Sequence, residues 1–180
     1  TANQMRVVEV HTAGGVDPEQ LWRAVTLCND ADIAPDGDPV GDPTEVALLR
    51  GADDAEFDWR TVRDGAERVD EIPFDSTTKR MAVVIDGEVL AKGAPEVLLD
   101  PARDADLVAA VDDMSERALR TLAIASGPAP AAGSSDDEVF AAAAPIGVVG
   151  IADPPRPAAI DAVAVCHRAG VRVVMITGDQ

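Results

Sequence analysis

The chain has 180 residues, enough for one domain or for one domain plus part of a second. Apolar residues make up 47%, which excludes wholesale disorder, while aromatic residues are only 3%, so the core must come from Val, Leu, Ile and Ala. A formal net charge of −18 argues against nucleic acid or an anionic membrane as a partner.

Residues 5–10 read as a short strand. Asp17-Pro18 then opens a helix to about Asn29, with Leu21, Trp22, Val25 and Cys28 on one face. Residues 30–41 are rich in Asp, Pro and Gly, hence loop. A second helix starts at Asp42-Pro43-Thr44-Glu45, a start resembling a capping box, and buries Val46, Leu48 and Leu49. A third amphipathic stretch covers 58–66. The period then changes from helical to alternating. Residues 69–74, 79–85 and 88–92 read as strands, and Asp86-Gly87 is a hairpin turn, so the middle of the domain is an antiparallel sheet. Residues 94–100 and 104–119 are helical, 121–126 return to strand, and 127–138 form a loop. Residues 146–152 are a strand. Asp153-Pro154-Pro155-Arg156-Pro157 is a stiff connector. Residues 158–169 form a helix stopped by Gly170, and 171–176 an apolar strand. That strand–helix–strand tail reads as one slice of a parallel α/β sheet whose partner strands lie outside the chain.

Cys28 and Cys166 stand far apart without a C-x-x-C pattern, and both read as small buried thiols rather than zinc or redox ligands. His11 and His167 are isolated. No apolar run approaches the roughly 18–20 residues of a membrane span. The sequence begins at Thr1 without a Met and stops at Gln180, so both ends are expected to be cut.

Lysine occurs only twice, at Lys79 and Lys92. Lys92-Gly93-Ala94-Pro95-Glu96 follows a strand and opens a helix. A Lys there can pair with phosphate, and a Gly admits a ligand to the backbone. Phe74-Asp75-Ser76-Thr77-Thr78-Lys79 puts an aromatic before a polar loop and the other Lys, and an exposed Phe can stack on a purine. Thr177-Gly178-Asp179 follows an apolar run, where a hydroxyl, free N–H groups and a carboxylate can organise phosphate and metal. Each motif also has a bland reading, as a core Phe, a surface Lys or a strand-ending turn. There is no P-loop, no G-x-G-x-x-G and no nucleophile elbow.

The order of the motifs carries more than any one of them. The chain reads T-x-N-Q-M at 1–5, G-D-P-T-E-x-A-L-L at 41–49, P-F-D-S-x-x-K-x-M at 73–81, K-G-A-P-E at 92–96, R-x-L-x-x-A at 120–125, G-x-x-G-I-x-D-P-P-R at 147–156 and M-I-T-G-D at 175–179. This resembles the P-type cation-transporting ATPases, most closely their calcium-pump-like branch, over the whole chain.

The resemblance implies an α/β (α+β) fold: a twisted antiparallel sheet flanked by helices, plus a short strand–helix–strand piece of a Rossmann-like phosphorylation domain. It implies a nucleotide-binding domain over 1–152, a hinge at Asp153, Pro154, Pro155 and Arg156, and the start of the returning phosphorylation domain over 157–180. Thr1 would end the D-K-T-G-T-L-T phosphorylation motif, whose Asp lies upstream. Phe74 would stack on adenine, Lys92 and Gly93 would line the base and ribose side, and Glu45 would contact the adenine side. Lys79 and Arg120 would meet the phosphates. Ser76 stands where calcium pumps often carry an Arg. Thr177, Gly178 and Asp179 would belong to the phosphorylation site. The implied ligands are ATP and the Mg²⁺ that accompanies it, with no metal bound by this chain itself. The implied partners are the phosphorylation, actuator and transmembrane domains of a parent pump, making this a cytoplasmic domain of an integral membrane protein. Two other readings remain: a haloacid-dehalogenase-like phosphatase, which lacks a D-x-D pair here, and a non-catalytic interaction module, which leaves the motif order unexplained.

Overall fold

Alternation of apolar residues builds the centre of the molecule. The computed structural model describes residues 5–152 and 157–174. Six strands form one wholly antiparallel sheet: β1 (Arg6–Thr12), β4 (Arg68–Asp75), β5 (Arg80–Ile85), β6 (Glu88–Gly93), β7 (Arg120–Pro128) and β8 (Ala144–Ala152), in the order β1-β8-β7-β6-β5-β4. Two-residue strands β2 (Asp32–Ile33) and β3 (Pro39–Val40) pair separately inside the stretch read as loop.

Successive side chains of a strand point to opposite faces, and helices cover both faces here. On one face Met81, Val83, Ile85, Leu90, Ile124 and Val149 pack against α1 (Pro18–Leu27), α2 (Pro43–Asp54) and α3 (Trp59–Asp64). On the other, Ala82, Ala91, Ala123 and Ala125 lie under α5 (Ala105–Glu116) and α6 (Asp136–Ala142), with α4 (Pro95–Leu98) alongside. Small side chains on that face let short helices lie close to the sheet. The helix starts follow the sequence. Asp17 accepts from the Glu19 N–H at 3.0 Å, and Asp42 from the Thr44 N–H at 2.8 Å, each ahead of a Pro at the helix start. Asp86 and Gly87, with φ of 52° and 77°, make the β5–β6 turn with both central residues left-handed.

Three expectations change. Helix α6 begins inside the segment read as loop through 138. Ser135 and Glu138 close a full capping box there, an S-x-x-E signal present in the sequence. Strand β8 pairs antiparallel with β1 and β7, so it completes this sheet rather than a parallel slice. Residues 171–174, expected as strand, form none. Both sides of β8, the strand they were expected to join, are already taken by β1 and β7. The preceding helix, α7 (Pro157–Arg168), ends with Gly170 at φ 73° and the Val171 N–H bonded back to Cys166 O at 2.9 Å. Thr1, Asp153 to Arg156, and Thr177, Gly178 and Asp179 lie outside the described residues. No described helix is long and apolar enough to cross a membrane.

Candidate functional site

Strand β4 is an edge strand, which tolerates Pro73 because one side of it needs no ladder hydrogen bond. Its register against β5 shifts between Ile72 and Asp75, so one extra residue is accommodated there. Ile72 opposes Ala82 on the alanine face. Simple alternation would send Phe74 to that same face. The bulge resets the alternation, and Phe74 instead joins Met81 and Lys92 around a cavity of about 460 Å³. It stays 59% exposed.

The polar turn after Phe74 is tightly held. Asp75 Oδ1 accepts from the N–H groups of Thr77 (2.6 Å) and Thr78 (3.0 Å), and these bonds hold its carboxyl below the usual carboxylate range. The turn closes with Lys79 in a left-handed conformation, φ 54°. Its carbonyl accepts from the Ala94 N–H at 2.9 Å. Gly93 is needed beside it, since a Cβ there would meet Lys79 O at 2.7 Å. The glycine therefore serves the approach of one chain segment to another as well as lining the cavity.

Strand β6 brings Lys92 opposite Met81. Its ammonium lies 2.5 Å from Glu45 Oε1, with the two side chains only 7% and 15% exposed. Buried charges of this kind persist when paired. Glu45 stands at the third position of α2, where a capping-box Glu would turn back to the Asp42 N–H. It instead uses Oε2 to accept from the Asp30 N–H at 3.2 Å and Oε1 to hold Lys92. Its backbone carbonyl accepts from Asn29 Nδ2 at 3.0 Å. The C-terminal end of α1 is fixed in turn by Arg68, which donates to Leu27 O and Asn29 O and pairs with Asp30 at 2.7 Å.

Two further cations stand where β6 ends and β5 and β7 begin. Lys79 Nζ lies 2.9 Å from Glu96 Oε1. Arg120 donates to Thr44 Oγ1 at 3.1 Å. Below the cavity, Cys28 is fully enclosed and its thiol faces Met81 O at 3.9 Å. Burial pushes this thiol up to about 11, and the nearby Lys92 only partly opposes that.

Glu45, Phe74, Lys79, Lys92, Gly93 and Arg120 thus line one cavity. Ser76 does not; it sits exposed in the 76–79 turn. Sequence reasoning missed Thr44, Leu122 and Asp30 as lining residues. The first two sit inside motifs already quoted, one residue from Glu45 and two from Arg120. Asp30 has only its loop position to announce it. A second cavity of about 450 Å³, between the start of α1 and the α2–α3 connection, is lined by Trp22, Glu56 and Phe57 and holds none of the nucleotide-site candidates drawn from the sequence. Among the described residues, no cluster of three or more His, Cys, Asp or Glu could hold a metal ion.

Comparison with known proteins agrees with the motif order. A family model described as P-type ATPase, cytoplasmic domain N, matches residues 17–158. A probable cation-transporting P-type ATPase of Mycoplasma genitalium is 35% identical over all of this chain and 22% of its own length. Calcium-transporting ATPase 1 of Lactococcus lactis is 32% identical over all of this chain and 24% of its own length. The calcium-transporting ATPase of Bacillus subtilis is 35% identical over 90% of this chain and 21% of its own length. The chain therefore spans between a fifth and a quarter of the length of these curated relatives.

Proposed function

The chain belongs to the P-type cation-transporting ATPases, as their cytoplasmic domain N, and from that premise we propose that it binds ATP in the cavity beside Phe74 and presents the γ-phosphate to an aspartate outside these 180 residues. The observation that carries this reading is the bulge-directed Phe74, exposed at the mouth of a cavity whose floor is the Lys92–Glu45 pair and whose sheet end carries Lys79 and Arg120.

Each group has a task that suits its surroundings. Phe74 offers a free ring face for adenine, and its exposure means stacking displaces water without dismantling the core. Lys92 and Glu45 fix the shape of the inner wall, since neither can leave without stranding a buried charge. Lys79 and Arg120 are solvated and can turn toward phosphate oxygens. The acidic surface opposes a polyanion, but that repulsion is screened beyond about 8 Å at physiological salt, so contacts at the site prevail. Mg²⁺ arriving with the nucleotide would neutralise charge on the transferring phosphoryl group.

In this reading, residues 153–156 are the hinge to the phosphorylation domain and 157–180 begin that domain, where Thr177, Gly178 and Asp179 serve the acceptor aspartate. The exposure of Ile160 and Val165 on α7, at 55% and 53%, supports a surface completed by other parts of the protein. Phosphoryl transfer would drive cation transport in the parent pump. The isolated chain binds ATP without turning it over, because the acceptor motif D-K-T-G-T is not in its sequence.

An ATP titration followed by amide NMR tests this. Shifts should cluster at Glu45, Phe74, Lys79, Lys92 and Arg120. A folded sample with no shifts at millimolar ATP would sink the reading, and steady Mg-dependent hydrolysis by pure chain would contradict its division of labour.

A further inference from the structure

The three cations of the cavity differ in how they are partnered. Lys92 is locked to a buried carboxylate. Among the described residues, Arg120 meets the neutral hydroxyl of Thr44. Lys79 faces an exposed carboxylate, Glu96, at 2.9 Å, with the two side chains 54% and 58% exposed. The Glu96 carboxyl lies below the usual carboxylate range, chiefly through its hydrogen bond from Lys79.

The backbone around this pair is fixed. Lys79 N–H bonds Asp75 O at 2.6 Å, and Lys79 O accepts from Ala94 N–H at 2.9 Å, two residues before Glu96. The turn and the start of α4 are therefore tied together, and only the two side chains are free to exchange partners. A solvated ion pair is weak, so such an exchange costs little. A phosphate oxygen reaching Lys79 competes with Glu96 for the ammonium and meets that carboxylate's charge at close range.

We propose that Glu96 is an internal competitor for Lys79. Its carboxylate occupies the ammonium until a polyphosphate displaces it, and it thereby sets the affinity for the phosphate part of a nucleotide but not for the adenosine part. This rests on the ATP-binding reading above. It makes Glu96 a residue that weakens binding by design of its position, one residue after Pro95 in the K-G-A-P-E motif.

The test compares dissociation constants of ATP and of adenosine for the 180-residue chain and four variants: Glu96→Gln, Lys79→Gln, the double variant, and Glu116→Gln as a control of equal charge change at an exposed position of α5, the helix on the other face of the sheet. Glu96→Gln should bind ATP about two- to fivefold more tightly. Adenosine affinity should stay unchanged, Glu116→Gln should match the unmodified chain, and the gain should vanish in the Lys79→Gln background. Equal or weaker ATP binding by Glu96→Gln overturns the proposal. So does a gain shared by adenosine, by Glu116→Gln, or by the Lys79→Gln background. If the unmodified chain binds neither ATP nor adenosine, the nucleotide reading itself falls, and this inference falls with it.

Discussion

Lys92 and Glu45 face each other at 2.5 Å, 47 positions apart in sequence, and tie strand β6 to the first turn of α2 across the floor of the cavity. Both are largely withdrawn from water. Removing one partner leaves the other as an unpaired buried charge, so Glu45→Ala should destabilise the fold by roughly 3 kcal/mol. Replacing both, as Glu45→Leu with Lys92→Met, should recover most of that loss while ATP binding stays impaired. Chemical denaturation of the three proteins checks this. Equal stability of Glu45→Ala and the unmodified chain would mean that the pair is not held as described.

Phe74 should behave in the opposite way. Its ring is 59% exposed, so Phe74→Ala should leave stability within about 0.5 kcal/mol. Loss of a stacked base should weaken ATP binding roughly 5- to 150-fold. Calorimetric titration beside a thermal melt separates the two effects. Ser76→Ala, in the exposed turn outside the cavity, should change neither.

Gly93→Ala should cost about 1–3 kcal/mol, because the added Cβ meets Lys79 O at 2.7 Å and Arg80 Cβ at 2.9 Å. The shift moves Lys79, so ATP binding should weaken alongside stability. A variant as stable as the parent would show that the β5 start yields easily.

Cys28 gives the pH dependence. Its thiol ionises near 9.0 when free of its surroundings and near 11 in the folded chain, where burial disfavours the thiolate. The folded state then holds the proton more tightly than the unfolded state. Its contribution to stability is complete below pH 9 and declines as pH rises through that interval. Denaturation midpoints measured from pH 8 to 11 should fall more for the parent than for Cys28→Ala. Cys166, expected from the sequence to be buried, is only partly so, and at pH 8 it should react with a thiol reagent, while Cys28 should react only on unfolding. Equal labelling of both thiols in the folded chain would contradict the burial.

Much of the frame is local and so was readable beforehand. Asp42-Pro43 and Asp17-Pro18 announce helix starts by their own chemistry, and Asp86-Gly87 announces a turn. The motif order brought Phe74, Lys79, Lys92 and Arg120 forward. Other features depend on residues far apart and have no local signature. The direction of Phe74 hangs on a bulge set by pairing with β5. The diversion of Glu45 from its capping role hangs on Lys92, and the Lys79–Glu96 pair on the meeting of a turn with α4. Residues 171–174 misled because an apolar run states a preference for burial, while a strand also needs a neighbour to bond.

The most direct test of the central claim is a search for nuclear Overhauser contacts between the adenine protons of bound ATP and aromatic protons of the chain. Binding in the proposed cavity requires contacts from adenine H2 or H8 to the ring protons of Phe74. Contacts to Trp22 or Phe57 of the second cavity, with none to Phe74 at saturating ATP, would contradict the account.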